Sequence, residues 1–206
     1  MATEGAERKP RPLSDHMAGL VDLLRNRAVA VLVTSSMFRA MTQSTLLVFL
    51  PLFLTREMGY SPFAVGLCLF LLQAAGFAAA PIAGHLSDRM GRSRIVASSM
   101  TMTAVVLAFM AIAGASPAFV FFIGLLGFFL YALRPVLQAW LLEAAPANRG
   151  GTSIGLLFGA QSLGAAISPA VAGMLSDRYG LSAMFWFVTA TIVVANLLIL
   201  LAPKER

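Results

Sequence analysis

Gly84-His85-Leu86-Ser87-Asp88-Arg89-Met90-Gly91 and Gly173-Met174-Leu175-Ser176-Asp177-Arg178-Tyr179-Gly180 are one eight-residue phrase written twice. Six of the eight positions are identical, and the copies stand 89 residues apart. Each copy follows the second apolar segment in a run of three, so the chain reads as two related three-span units. Three is odd, so the second unit must enter a membrane from the face opposite to the first. The expected fold is therefore an all-α membrane protein, six transmembrane helices forming a 3+3 inverted repeat. Repeats of this kind place polar paths between the units near the bilayer midplane.

The composition agrees with that reading. Apolar residues make up 59% of the chain and charged residues 12%, against roughly 45–50% and 25% in soluble domains. Six stretches are long enough to cross about 30 Å of hydrocarbon, at approximately 28–54, 62–84, 95–114, 117–143, 151–174 and 181–202. Their interiors lack the alternation of barrel strands. Residues 1–27 form a polar lead-in. Within it, Leu13, Met17, Leu20, Val21 and Leu24 share one face of an amphipathic helix expected at about 13–25, lying in the membrane interface.

The cations set the orientation. One set of loops and termini holds Arg8, Lys9, Arg11, Arg25, Arg27, Arg89, Arg92, Arg94, Arg149, Lys204 and Arg206, whereas the alternate set holds only Arg56 and Arg178. The positive side stays in the cytoplasm. Both termini are therefore expected inside an inner or plasma membrane. The net charge of +6 is accounted for by this bias and gives no support to nucleic-acid binding. The single cysteine, Cys68, falls inside the second span and reads as a small buried apolar residue. No cluster has metal-ligand spacing, no glycine loop is built to cradle phosphate, and no cofactor is expected. A membrane enzyme would need a catalytic carboxylate, histidine or metal set in its spans, and none is in place, so enzymatic activity is not expected.

In the first copy of the phrase, a tight loop is expected after the second span. Gly84 would allow close backbone approach, Gly91 a left-handed turn, and Asp88 a helix cap. The string also resembles the loop signature of the major facilitator superfamily, G-x-L-A/S-D-R/K-x-G-R-R/K. Gly84, Leu86, Ser87, Asp88, Arg89, Gly91 and Arg92 match it, while Ser93 replaces a usual basic residue and Arg94 follows. The resemblance implies a gating loop in which Asp88 and Arg92 latch one half of a transporter against the other. It also implies a fold of two six-helix halves, of which this chain supplies one.

Two signals bear on which half that is. The fifth span, Gly155-x8-Gly164-x3-Ser168-Pro169-x2-Ala172-Gly173, has the spacing of the family's antiporter signature with Ser168 and Ala172 in place of glycines. That signature belongs to the first half. The fourth span lacks the first half's R-x-x-q-G pattern, because Gln138 comes one position late after Arg134. The lead-in and the run at 146–151 resemble the second half, which is the favoured assignment. The small residues of the fifth span read foremost as close helix packing.

Polar residues deep within the spans carry the functional expectation. Ser35, Arg39 and Gln43 recur every four residues on the first span, and Tyr131, Arg134 and Gln138 are expected to share a face of the fourth. Gln73 and Gln161 occupy the middles of the second and fifth spans. Arg39 lies about twelve residues, roughly 18 Å, from one end of its span, and Arg134 about nine residues, roughly 14 Å, from the same face. All nine acidic residues, from Glu4 to Glu205, lie at span ends, in loops or in the terminal segments. A guanidinium at such depth is functional by default, and it grips carboxylate or phosphate bidentately.

Secondary transport of a small organic anion by alternating access is the expectation, possible efflux antiport included, with a second six-helix half as partner. Arg39, Arg134, Gln43, Gln138 and Tyr131 are the candidate binding residues. A non-transporting membrane subunit with the same half-fold is the alternative. Glu143, at the cytoplasmic end of the fourth span, is the acidic residue nearest to a proton relay, yet none sits at midplane. The relay of a proton-coupled transporter would then belong to the other half.

Overall fold

In the computed structural model the described residues are 23–146 and 149–201. The amphipathic helix expected at 13–25 lies outside them except for its last turn, in which Leu23 is buried. Seven helices follow: α1 Arg27–Arg56, α2 Pro62–Met90, α3 Arg92–Ala113, α4 Phe119–Tyr131, α5 Leu133–Ala144, α6 Gly150–Tyr179 and α7 Ala183–Leu200. α4 and α5 together make the fourth span, Phe119–Ala144, giving six segments long and apolar enough to cross a membrane.

The helices begin where sequence-local chemistry allows. The Asn26 side chain accepts from the Ala28 amide at 3.0 Å and caps α1. Ser61 accepts from the Ala64 amide at 3.3 Å ahead of Pro62, whose missing N–H costs nothing in a first turn.

The repeated phrase is helical rather than a loop. α2 continues through Gly84–Met90 and stops only at Gly91, and α6 continues through Gly173–Tyr179 and stops at Gly180. Both glycines have positive φ, 91° and 85°, which an L side chain resists by roughly 1–2 kcal/mol. Both donate backwards, Gly91 to the Ser87 carbonyl at 3.1 Å and Gly180 to the Ser176 carbonyl at 2.9 Å. The close approach expected at Gly84 is absent, since a Cβ there would meet nothing within 4 Å. Asp88 caps no helix, because α3 begins without a side-chain cap.

The fourth span is interrupted at Ala132. Pro135 has no N–H to give the Tyr131 carbonyl, and its ring crowds that same carbonyl. Ala132 itself keeps helical torsions, φ −62°, ψ −23°, so the hydrogen-bond ladder is broken without the chain unwinding there.

Packing repeats the inverted symmetry. α1 packs chiefly on α6 and α7, α2 on α4, and α3 on α7 and α4. Exchanging the first three spans for the last three turns the α1–α6 contact into the α4–α2 contact. Glycines permit close approach at both crossings. A Cβ on Gly127 would collide with the Leu72 backbone, and one on Gly164 would lie 2.8 Å from the Met37 carbonyl oxygen. Hydroxyls then fasten the α1–α6 crossing: Ser44 donates to the Ala165 carbonyl at 2.8 Å and Ser168 to the Met41 carbonyl at 3.1 Å. Such small-residue crossings replace the hydrophobic drive that lipid does not supply. Phe53, Phe119 and Phe185 close one end of the core with ring centroids 5.0–5.5 Å apart.

Candidate functional site

α1 and α6 cross so that one face of each opens onto a cavity of about 340 Å³. Ala40, Gln43, Ser44 and Leu47 line it from α1, and Phe158, Gln161, Ser162 and Ala165 from α6. Both stripes follow the i, i+3, i+4, i+7 spacing of a single helix face. Arg39 completes the α1 wall and Arg134 enters from the first turn of α5.

The two arginines differ in setting. Arg39 is 1% exposed. Its Nη1 donates to the Gln43 Oε1 at 3.2 Å, while its Nε is buried without a partner. Arg134 is exposed within the chain. The two guanidiniums and Tyr131 lie within electrostatic range of one another. The Tyr131 hydroxyl is buried beside the Gln43 side chain.

No carboxylate answers this charge among the described residues. Asp88 and Glu143 are engaged with Arg92, and Glu57 and Asp177 lie at helix ends remote from the cavity wall. The site is a doubly cationic pocket flanked by amides and hydroxyls.

The expected residues are not all brought together. Arg39, Gln43 and Arg134 line the cavity and Tyr131 stands behind it, but Gln138, half-buried on α5, is not on its wall. Ser35 turns away entirely and donates to the Ala195 carbonyl of α7 at 2.9 Å. A four-residue step overshoots the 3.6-residue turn by about 40°, so Ser35 has rotated about 80° from Gln43 and faces the neighbouring helix. Gln73 is exposed on α2. Ser44, Phe158 and Ser162 were not singled out as wall residues. The signal for Phe158 and Ser162 is the helical spacing of the α6 stripe around Gln161, and for Ser44 its place beside Gln43 on α1.

A second polar centre sits at the far end of α5. Arg92 clasps Glu143 with two parallel bonds of 2.7 Å, Nε to Oε2 and Nη2 to Oε1. Asp88 reaches the same guanidinium at 3.3 Å from the last turn of α2, across the Gly91 stop. Ser87 contributes its hydroxyl, donating to the Gly84 carbonyl at 2.7 Å and accepting from Arg92 Nη1 at 3.5 Å. The resulting clasp ties the α2–α3 turn to α5. Arg89, the other cation of the phrase, is exposed. Among the described residues no group of His, Cys, Asp and Glu could hold a metal ion.

A bundle of six apolar spans with a polar cavity between its helices defines a multi-pass membrane protein. The sequence model of the Major Facilitator Superfamily matches residues 32–206, and the chain belongs to that family. It is 32% identical over 128 residues to the multidrug resistance protein MdtG of Citrobacter koseri, covering 62% of this chain and 31% of that protein. It is 34% identical over 117 residues to the protein of that name from Yersinia enterocolitica, covering 57% and 28% respectively. The chain thus spans about a third of the length of the curated relatives it matches. A crystal structure of the POT family transporter PepTSo superposes with a TM-score of 0.72 at 14% identity, over 87% of this chain and 40% of that one. That likeness concerns the fold.

Proposed function

We propose that this chain is one six-helix half of a secondary transporter that carries small organic anions, with Arg39 and Arg134 holding the anionic group. The observation that carries the proposal is the cavity with two guanidiniums and no carboxylate on its wall among the described residues. Two cations at membrane depth cost several kcal/mol unless paired or hydrated, and an anionic substrate supplies the missing charge. The relatives named for multidrug resistance favour the export direction.

The helix α5 offers a mechanical link for alternating access. Arg134 stands near one of its ends and Glu143 near the other, about nine residues or 14 Å apart. The break ahead of Pro135 separates α5 from α4, which the Gly127–Leu72 approach holds against α2. An anion drawing on Arg134 would tilt α5 and strain the Arg92–Glu143 clasp, opening the end of the bundle that this clasp holds shut. The positive-inside rule puts that end in the cytoplasm of an inner or plasma membrane.

The partner half would cover α2 and α6. In their most apolar stretches only 28% and 17% of residues are buried, against 39–50% for the other four spans. Phe63, Phe70 and Phe77 on α2, with Leu163 and Met174 on α6, are left open. The run at 146–151 favours the second half as this chain's place.

Transport by the assembled protein in proteoliposomes tests the reading. Arg39→Lys and Arg134→Lys keep the charge but lose the planar fork, and each should reduce uptake of an organic anion by about tenfold, equivalent to one good charged hydrogen bond. Insertion and thermal stability should stay near the parent. Normal transport by both lysine variants and by the glutamine variants, or a preference for cations, would refute it.

A further inference from the structure

The anion reading leaves open how much charge the ligand brings, and the cavity bears on this. We propose that the cavity selects an organic dianion over a monoanion of the same size; this rests on the anion-binding reading above. Arg39 and Arg134 enter one cavity of about 340 Å³ from different helices and lie within range to repel each other. Neither meets a carboxylate among the described residues. Arg39 donates to Gln43, and its Nε is orphaned in the interior. A monoanion would settle one guanidinium and leave the other without a counter-charge. A dianion neutralises both and removes their mutual repulsion.

The remaining wall suits such a ligand. The Gln161 amide and the Ser162 hydroxyl, together with Gln43, can donate to oxygens that the guanidiniums do not reach. The Ser44 hydroxyl already donates to the Ala165 carbonyl. Phe158, 46% exposed, and Leu47, 43% exposed, offer apolar surface for the organic body. Arginine stays charged at any working pH. Tyr131, the other ionisable group beside the cavity, is a phenol and neutral at neutral pH. The ligand's own ionisation is then what the site reads.

Three probes with the same aromatic ring separate the possibilities: phenylphosphonate, benzoate and phenyltrimethylammonium, titrated calorimetrically against the assembled transporter in nanodiscs. At pH 8 phenylphosphonate should bind at least about tenfold more tightly than benzoate. A phosphate-type group takes its second charge near pH 6–7, so phenylphosphonate affinity should rise between pH 5.5 and pH 8 while benzoate, already ionised, stays flat. Arg134→Gln should bring the phosphonate-to-benzoate ratio close to one. Arg134→Lys, which folds with the charge in place, should weaken both ligands yet keep the ratio. Equal or tighter binding of benzoate would overturn the dianion selectivity and leave the anion reading standing, as when a carboxylate of the partner half neutralises Arg134. Tightest binding of the ammonium probe, or no binding of any probe, would overturn both.

Discussion

The two copies of the G-x-L-S-D-R-x-G phrase end their helices in the same way and then do different chemistry. Gly91 and Gly180 share a positive φ and the same backward hydrogen bond, to the carbonyls of Ser87 and Ser176. The residue that follows separates them. In the first copy it is Arg92, which grips Glu143 and Asp88. In the second it is Leu181, which packs against the apolar core. The second copy's serine follows suit: Ser176 has a buried, unpartnered hydroxyl, whereas Ser87 is bonded. Arg178 lies over the Tyr179 ring at 5.7 Å, a contact within its own turn. Repetition has preserved the helix stop, and a single position has placed a clasp at one end of the bundle.

The largest expected effect comes from erasing that difference. Arg92→Leu copies the second phrase onto the first and leaves Glu143 without its bidentate partner. Transport should fall by at least about tenfold, since a two-bond charged contact of this kind contributes roughly 1.5–3 kcal/mol. The cavity should become more accessible to a thiol reagent from the clasp end. Unchanged transport and unchanged accessibility would mean that the ion pair is ornamental.

Next in size are the shared glycines. Gly91→Ala and Gly180→Ala each force an L side chain to positive φ, costing roughly 1–2 kcal/mol. Thermal unfolding should drop by a similar amount for both, because the backbone geometry is common to both copies. A loss confined to Gly91 would show that the turns are not equivalent and that the clasp stabilises one of them.

Glu143→Gln retains a hydrogen-bond acceptor but loses the charge, so its effect on transport should be smaller than that of Arg92→Leu. Proton coupling should remain, because this carboxylate is committed to an arginine rather than placed at midplane. Abolished coupling with normal substrate binding would place the relay here. Smallest of all is Asp88→Asn. The carboxylate is 65% exposed and 3.3 Å from Arg92 across the Gly91 helix stop, and such exposed pairs contribute about 0.2–1 kcal/mol. Raising the salt concentration should mimic this substitution far better than it mimics the loss of Glu143.

The bundle was legible because repetition, span length and cation bias are local properties of the sequence. Arg39 and Arg134 could be matched in depth by counting residues along their helices, and they do line one cavity. What counting along one helix could not supply was rotation and partnership. Ser35 was grouped with Arg39 by a four-residue step that drifts around the helix, and it bonds to α7 instead. Gln138 shares α5 with Arg134, but the four-residue step between them drifts by about 40° around the helix, and Gln138 sits half-buried off the cavity wall. The clasp joins residues 51 apart in sequence, so Glu143 read as a relay candidate until the fold supplied its partner. The phrase read as a loop because its glycine, serine and aspartate are turn formers, yet a helix tolerates all three when a glycine follows to end it.

The central claim is that this cavity receives anions and opens alternately to the two sides of the membrane. Ser162→Cys, on the α6 wall, tests it most directly, in a cysteine-free background that includes Cys68→Ala, with a membrane-impermeant maleimide applied to one side at a time. The account predicts labelling from either side, protection by an organic anion and none by a cation of equal size, and a shift toward labelling from the clasp side in Arg92→Leu. Labelling from one side alone, or equal protection by anion and cation, would contradict it.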